Sequence, residues 1–101
     1  MNAEDFKKLP SIPWEEIWDH EHDFIYVVNP DVPNVGYWAG VIGLDFRGEE
    51  PSWWVTDENF ILRDIYKSDV KSGKQLVFSQ KLGIAIEARQ KHDRIIEERK
   101  D

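Results

Sequence analysis

Five short segments with β-strand character, followed by a single long helical segment, constrain the fold of this chain most strongly. The clearest strand is residues 24–28, Phe-Ile-Tyr-Val-Val, because β-branched and aromatic residues favour extended backbone. Further strands are predicted at residues 36–46, 52–55, 60–66 and 75–78, separated by clusters of turn-forming residues. The pattern at 60–66 also permits a helix, but its β-branched content favours a strand.

Helical patterns lie on both sides of these strands. Pro13 fits the first position of a short helix running to residue 19, on which Trp14, Ile17 and Trp18 share one face. Ser79 is suited to cap a final amphipathic helix that runs to about residue 98. A hairpin turn is predicted at residues 71–74. The chain is therefore predicted to be an α+β domain: an antiparallel meander of four to five strands, with a short N-terminal helix and a C-terminal helix packed on one face.

The length of 101 residues predicts a single domain, residues 1–101, with one modest core. Residues 1–12 are expected to be peripheral, because Pro10 ends the short helical pattern that precedes it. Residues 94–101 are highly charged and are expected to fray into solvent.

Charge and tryptophan are distributed unevenly along the chain. Residues 1–60 carry thirteen acidic and three basic side chains, whereas residues 61–101 carry seven acidic and ten basic ones, for a net charge of −7. All five tryptophans lie in the acidic part. A surface that combines negative charge with large aromatic side chains suits a basic protein partner and repels nucleic acid. We therefore expect a basic protein partner and no direct binding of nucleic acid.

The cysteine content bears on chemistry and on cellular location. The chain contains no cysteine, which excludes disulfides, thiolate catalysis and Cys-ligated zinc, and fits a reducing compartment. The first residues are polar and acidic, unlike a secretory signal, and no apolar run approaches the ~18 residues of a membrane helix. A cytoplasmic protein without membrane contact is expected.

The adjacent tryptophans Trp53 and Trp54 are the strongest candidates for a binding surface. Neighbours on a strand point to opposite faces, so one indole is expected in the core and the other outside. An exposed indole with an acidic rim would resemble a binding hot spot. The predicted partner-binding residues are Trp38, Glu49, Glu50, Trp53, Trp54, Asp57 and Glu58. Alternatively, both indoles are packed, one under the C-terminal helix and one under the Trp14/Trp18 segment.

A metal site is the second candidate. If residues 20–22 were extended, His20 and His22 would point the same way, and two imidazoles with a nearby carboxylate suit Zn²⁺ or another divalent ion. A third ligand is not evident in the sequence. The alternative is a solvated polar junction between the N-terminal helix and the first strand.

Signatures of catalysis or of phosphate binding are weak. Three adjacent pairs of acidic residues fall at predicted helix starts or turns, and Gly-x-Ser-x-Gly is absent from the sequence. Lysines at positions 67, 71, 74 and 81 could contact phosphate, but acidic residues are interspersed among them. No cofactor is expected.

These observations favour a non-enzymatic, acidic protein–protein interaction module. Within that class, an inhibitor of a basic protein that acts on nucleic acid has suitable physical properties, as an immunity protein, an antitoxin or a phage-encoded blocker. The alternatives are a small-ligand or metal-binding domain that uses His20 and His22, and a structural or assembly subunit that forms a homo-oligomer through Trp53 or Trp54.

Overall fold

Five antiparallel strands form one sheet in the computed structural model, which describes residues 1–99. The strand order is β4-β3-β2-β1-β5, so the first four strands form a meander and the fifth lies beside the first. The predicted α+β architecture is confirmed. The strands are β1 (Phe24–Val28), β2 (Tyr37–Asp45), β3 (Ser52–Asp57), β4 (Leu62–Tyr66) and β5 (Leu76–Ser79).

Three α-helices and two 3₁₀ helices complete the secondary structure of the described residues. The α-helices are α1 (Ala3–Lys7), α2 (Lys67–Ser72) and α3 (Gln80–Glu98). The segment predicted as a short N-terminal helix is the 3₁₀ helix Trp14–His20, and a shorter 3₁₀ helix spans Pro33–Val35.

The hairpin turn predicted at residues 71–74 is wrong. These residues include the end of α2, which closes at Gly73 in the left-handed conformation with φ 82°. A Ser-Gly step suits the end of a helix as well as a turn, because glycine adopts positive φ without strain. The chain then crosses from β4, at one edge of the sheet, to the opposite edge, where Val77 of β5 pairs with Val27 of β1.

One face of the sheet is covered by the 3₁₀ helix Trp14–His20. Trp14 and Ile17 are buried against it, as predicted from their spacing, whereas Trp18, which was predicted on the same face, is 43% exposed and stacks on Trp53. The strand residues beneath them come from all five strands and include Ile25, Ala39, Val55, Ile65 and Val77. This face holds the larger of two apolar clusters.

The opposite face is covered only in part, by α3 and, next to Phe78, by Phe6 of α1. Ile86 of α3 packs with Tyr26 and Phe78, which belong to β1 and β5. Helix α3 lies on β1 and β5 at one side of the sheet. A helix is about 10–12 Å wide, whereas five strands spaced about 4.8 Å apart span nearly twice that width. One helix therefore cannot cover this face.

The two ends of the chain differ from the sequence expectations. The peripheral placement predicted for residues 1–12 is wrong at Phe6, which is fully buried beside Phe78, with ring centroids 6.1 Å apart. Fraying is predicted over residues 94–101, but α3 continues to Glu98 and Arg99 forms its C-cap. Residues 100 and 101 lie outside the described residues.

Candidate functional site

The half of the sheet face that α3 leaves open carries several apolar side chains, separated by two glycines and Thr56, with Asp64 beside Trp54. One cross-strand row runs from Phe24 through Gly40 and Thr56 to Leu62. Phe24 and Leu62 are each 59% exposed, although both are large and apolar. We call this surface the open face, and its members are Phe24, Gly40, Ile42, Gly43, Trp54, Thr56 and Leu62.

A β-bulge in β2 shapes the open face. The register shifts between Val41 and Gly43, so that Gly43 pairs with Trp54 and Leu44 pairs with Trp53. Strict alternation would place Leu44 on the same side as Trp38, but its pairing partner Trp53 lies on the other face. No atom lies within 4 Å of where a side chain would begin at Gly40 or Gly43. The two glycines therefore form a shallow trough in the open face.

Trp38 marks the border between α3 and the open face, and it is held on several sides. Its ring meets Tyr26 edge-on, with centroids 5.1 Å apart. Its indole Nε1 donates to Oε2 of Glu87 at 3.1 Å, and its backbone N donates to Oε2 of Glu58 at 2.7 Å. Trp38 thereby brings two carboxylates from distant parts of the chain to the same residue.

A groove of about 420 Å³ opens beside this ring. Phe24, Trp38 and Ile84 supply apolar surface, and Glu58 and Glu87 supply carboxylates. Gln80 completes the lining. We call this feature the Trp38 groove. It is continuous with the open face through Phe24, which belongs to both.

The electrostatic character of the Trp38 groove is negative. Burial raises the pKa of the Tyr26 phenol, and the charges of Glu87 and Glu58 raise the pKa further. Within residues 1–99 neither Glu58 nor Glu87 forms an ion pair with a lysine, arginine or histidine side chain. Neither carboxylate is therefore directly paired in the described part of the chain, although Arg63, whose pKa is raised most by its hydrogen bond to Asp57, is close enough for the charge of Glu58 to raise that pKa further.

The structure separates the two adjacent tryptophans. Trp53 is 6% exposed and packs between Trp14 and Trp18, with ring centroids 5.6 and 5.8 Å away. Its Nε1 donates to the backbone carbonyl of Trp14. Trp53 is thus a core residue. This agrees with the alternative in which one of the two indoles packs under the Trp14/Trp18 segment. It has little surface to offer a partner or a second copy of the chain.

Trp54 lies on the other face, half-buried, but it is not under α3. The guanidinium of Arg47 lies 4.5 Å from the Trp54 ring centroid and is paired with Asp45. The outward-facing indole that strand alternation predicts is therefore on the open face, partly covered by a cation from the same chain.

The four predicted acidic residues occupy different environments. Glu49 is exposed in the turn between β2 and β3, whereas Glu50 accepts hydrogen bonds from the backbone N and Oγ of Ser68. The side chain of Asp57 is almost fully buried and organises the β3–β4 turn. Only Glu58 among them lines the Trp38 groove.

The contacts of Asp57 are the most extensive of the four. Its Oδ1 accepts from the backbone N of Asn59 and Ile61, and its Oδ2 accepts from Arg63 at 2.7 Å. The Arg63 hydrogen bond, followed by the Ile61 backbone, lowers the pKa of this carboxyl. These bonds leave the Asp57 carboxylate little capacity for a partner.

Tyr37 and Arg63 line a second groove of about 420 Å³ on the other side of Glu58. The Arg63 guanidinium lies 4.5 Å from the Tyr37 ring centroid. Burial raises the pKa of Tyr37 to about 12, more than the nearby arginine lowers it. The phenol is therefore neutral at ordinary pH and is unsuited to act as a general base.

The residues proposed for a metal site do not converge. His20 ends the 3₁₀ helix and its Nδ1 lies 3.8 Å from Asp23, whereas His22 is in the following turn, 90% exposed, with Nε2 3.1 Å from Glu21. The i, i+2 argument required an extended strand, which begins only at Phe24. Over residues 1–99, no group of three His, Asp or Glu side chains is placed to hold a metal ion.

Sequence reasoning missed four residues of the Trp38 groove: Phe24, Gln80, Ile84 and Glu87. Phe24 precedes the buried Ile25 on β1, and consecutive side chains of a strand point to opposite faces of the sheet. Phe24 therefore points to the face that carries α3. Ile84 and Glu87 lie on one side of α3 at i, i+3 spacing, next to the buried stripe of Gly83 and Ile86. Only the position of α3 on the sheet brings them to Trp38.

No family model, curated protein sequence or solved structure matches this chain. Among the helices of residues 1–99, none has both the length and the apolar character that crossing a membrane requires.

Proposed function

We propose that this chain is a non-enzymatic, acidic protein–protein interaction module that binds a basic protein through the open face and the Trp38 groove. One observation carries the proposal: an uncovered apolar sheet face is bordered by two carboxylates held on the same tryptophan. An apolar centre with aromatic side chains and a charged border has the anatomy of a protein interface.

Charge supports a basic partner over an acidic or neutral one. The net charge is −7, and the acidic excess lies in residues 1–60, which include most of the sheet. Negative charge around an apolar patch accelerates encounter with a basic protein and disfavours nucleic acid and anionic lipid.

Within this class we favour an inhibitor of a basic protein that acts on nucleic acid, such as an immunity protein, an antitoxin or a phage-encoded blocker. The chain is small, rich in acidic residues and provides apolar surface, as a plug for a basic cleft requires. A cytoplasmic location is part of the same proposal and agrees with the absence of cysteine.

The test is affinity capture with variants that differ only in the open face. Ile42→Asp and Leu62→Asp each place a carboxylate on an exposed apolar position of this face. We expect wild type to capture a basic protein from its native cells at low salt, and we expect each variant to bind the purified partner at least about tenfold more weakly by calorimetry. Binding should also weaken steeply between low and high salt.

Val35→Asp is the matched control, because Val35 is 68% exposed and lies outside the open face. It adds the same charge and should bind as wild type does. If Ile42→Asp and Leu62→Asp also bind as wild type does, the open face is not the interface. Sedimentation velocity on the same proteins identifies a second copy as the occupant if wild type dimerises and the face variants do not.

A further inference from the structure

Arginines of this chain cover two other aromatic rings in the same manner. Arg47 lies over Trp54 and pairs with Asp45, and Arg63 lies over Tyr37 and pairs with Asp57. Each arrangement combines an aromatic face, a carboxylate and a guanidinium. In both places, therefore, one arginine pairs with an acid and also lies over the neighbouring aromatic ring.

The Trp38 groove has the first two components of this arrangement without the third. Trp38 is the aromatic ring, and Glu58 and Glu87 are the carboxylates. Within residues 1–99, no arginine of the chain pairs with either acid. A guanidinium supplied from outside would complete the arrangement.

The geometry of the carboxylates leaves them able to bind a cation. Each uses its Oε2 atom to accept from Trp38, at 2.7 Å for Glu58 and 3.1 Å for Glu87. The Oε1 atoms form no hydrogen bond within residues 1–99 and are available to a ligand. Because Trp38 holds both acids, little side-chain freedom is lost when they bind.

The groove suits an arginine better than a lysine. A guanidinium is planar, stacks on an indole and offers five donors, so it can pair with two carboxylates while it contacts the ring. Phe24 and Ile84, 59% and 55% exposed, line the groove and suit the methylene groups of the same side chain. Lysine offers a compact charge that does not stack in this way.

We infer that the Trp38 groove binds an arginine side chain of the partner protein, between Glu58 and Glu87 and against Trp38. This inference rests on the proposed function, because it names the group of the basic partner that the groove recognises. It specifies the binding pocket and the residue that occupies it.

The test uses a short peptide, acetyl-Gly-Arg-Gly-amide, and the folded full chain. The indole N–H of Trp38 is the reporter in ¹H–¹⁵N spectra, because it donates to Glu87 and senses a cation bound there. The buried indole N–H of Trp53, bound to the Trp14 carbonyl, is the internal reference. We expect a saturable shift of the Trp38 signal and no shift of the Trp53 signal. The citrulline peptide, which is neutral but similar in shape, should leave both unchanged.

Variants of the two acids complete the test. Glu87→Gln and Glu58→Gln keep an acceptor for Trp38 but remove one charge. Each should weaken binding of the arginine peptide by roughly three- to fivefold. Glu98→Gln is the control, because it removes the same charge from the far end of α3. An unchanged Trp53 signal in every variant shows that the fold is intact.

Three results would overturn the inference: an unmoved Trp38 signal, equal shifts with citrulline, or tighter binding of the matching lysine peptide. Its failure can be separated from that of the proposed function. If the arginine peptide does not bind but Ile42→Asp still abolishes capture, the interface stands without the arginine pocket. If the peptide binds as expected and Ile42→Asp has no effect, the pocket stands and the larger interface does not.

Discussion

Adjacent residues of one strand have opposite roles in this protein. Trp53 enters the core between Trp14 and Trp18, and Trp54 lies on the open face under Arg47. Side chains alternate between the two faces of a sheet, so the two positions are separated by the full thickness of the sheet. At the scale of the residue, the face to which a tryptophan points decides whether it contributes to stability or to the surface.

Alanine substitutions of Trp53 and Trp54 should lower the free energy of unfolding by different amounts. We expect Trp53→Ala to lower the free energy of unfolding by about 3–5 kcal/mol, because it leaves a large cavity and removes the hydrogen bond to Trp14. Trp54→Ala should cost no more than about 1–2 kcal/mol, since it loses half-buried surface and one cation–π contact. Urea unfolding monitored by far-UV circular dichroism measures both. Equal costs would contradict the assignment of Trp53 to the core.

The close approach of α3 to the sheet depends on Gly83. A Cβ at this position would lie 2.6 Å from Cβ of Tyr26 and 2.7 Å from Cη2 of Trp38. Gly83 therefore allows the helix to rest directly on the ring that holds Glu87. At the scale of the element, one glycine sets both the packing distance of α3 and the shape of the Trp38 groove.

Gly83→Ala should destabilise the protein although alanine is the better helix former. The gain in helix propensity is about 1 kcal/mol, whereas overpacking typically costs about 1–3 kcal/mol, and here the clash involves an atom next to the Tyr26 backbone. We expect a net loss of about 1 kcal/mol in urea unfolding and a shift of the Trp38 indole signal.

Gly43→Ala is the control for this substitution, because no atom lies within 4 Å of the position that its new Cβ would occupy. It should change the stability by no more than about 0.5 kcal/mol. If Gly83→Ala is as stable as wild type, the contact between α3 and Trp38 is looser than the structure indicates.

Carboxylates join separate elements across the molecule. Glu15 of the 3₁₀ helix pairs with Lys71 of α2, and Glu50 of the β2–β3 turn binds Ser68 of the same helix. The hydrogen bond from Lys71 lowers the pKa of Glu15, and the hydrogen bonds from Ser68 lower the pKa of Glu50. Lowered pKa values mean that these links stabilise the folded chain only while the acids are ionised.

The free energy of unfolding should therefore fall in acid. The contribution of each group is complete above its unfolded pKa, about 4.5 for glutamate, and is lost as the pH falls through the lower folded value. Urea unfolding at several values between about pH 7 and pH 3 measures the loss. Glu50→Gln should reduce it, whereas Glu49→Gln removes an exposed neighbour and should not. The same acid dependence in both variants would exclude Glu50 as a contributor.

The local sequence pattern was sufficient to predict the five strands and α3, but it did not predict α2 or the connection from β4 to β5. The strand at 60–66 is confirmed as Leu62–Tyr66, and the β-branched run at 24–28 is confirmed as β1. The pairing of β5 was not predictable, because Ser72-Gly73 is compatible with a hairpin turn and with a helix end. Pairing of Val77 with Val27 depends on a free edge of β1, which is a property of the assembled sheet.

Some residues of the candidate site could likewise be predicted from the sequence, and others could not. Trp54 and Glu58 follow from aromatic and acidic residues near one another in the sequence, and Trp38 follows from the expected pairing of its strand with the strand of Trp54. Glu87 does not, because it lies 49 positions from Trp38 and meets it only through the placement of α3. For Trp53 the sequence permits both a surface and a core position, and the structure assigns it to the core.

The amino-acid sequence by itself determined the α+β class, the positions of most strands and the acidic charge, because these follow from local period, residue type and composition. Only the tertiary structure decided which half of the sheet is open and which acids meet at Trp38. The physical reason is one of size: a single helix covers about two of five strands. Gly83 seats that helix on Tyr26 and Trp38, and the remaining apolar strands are left as a surface.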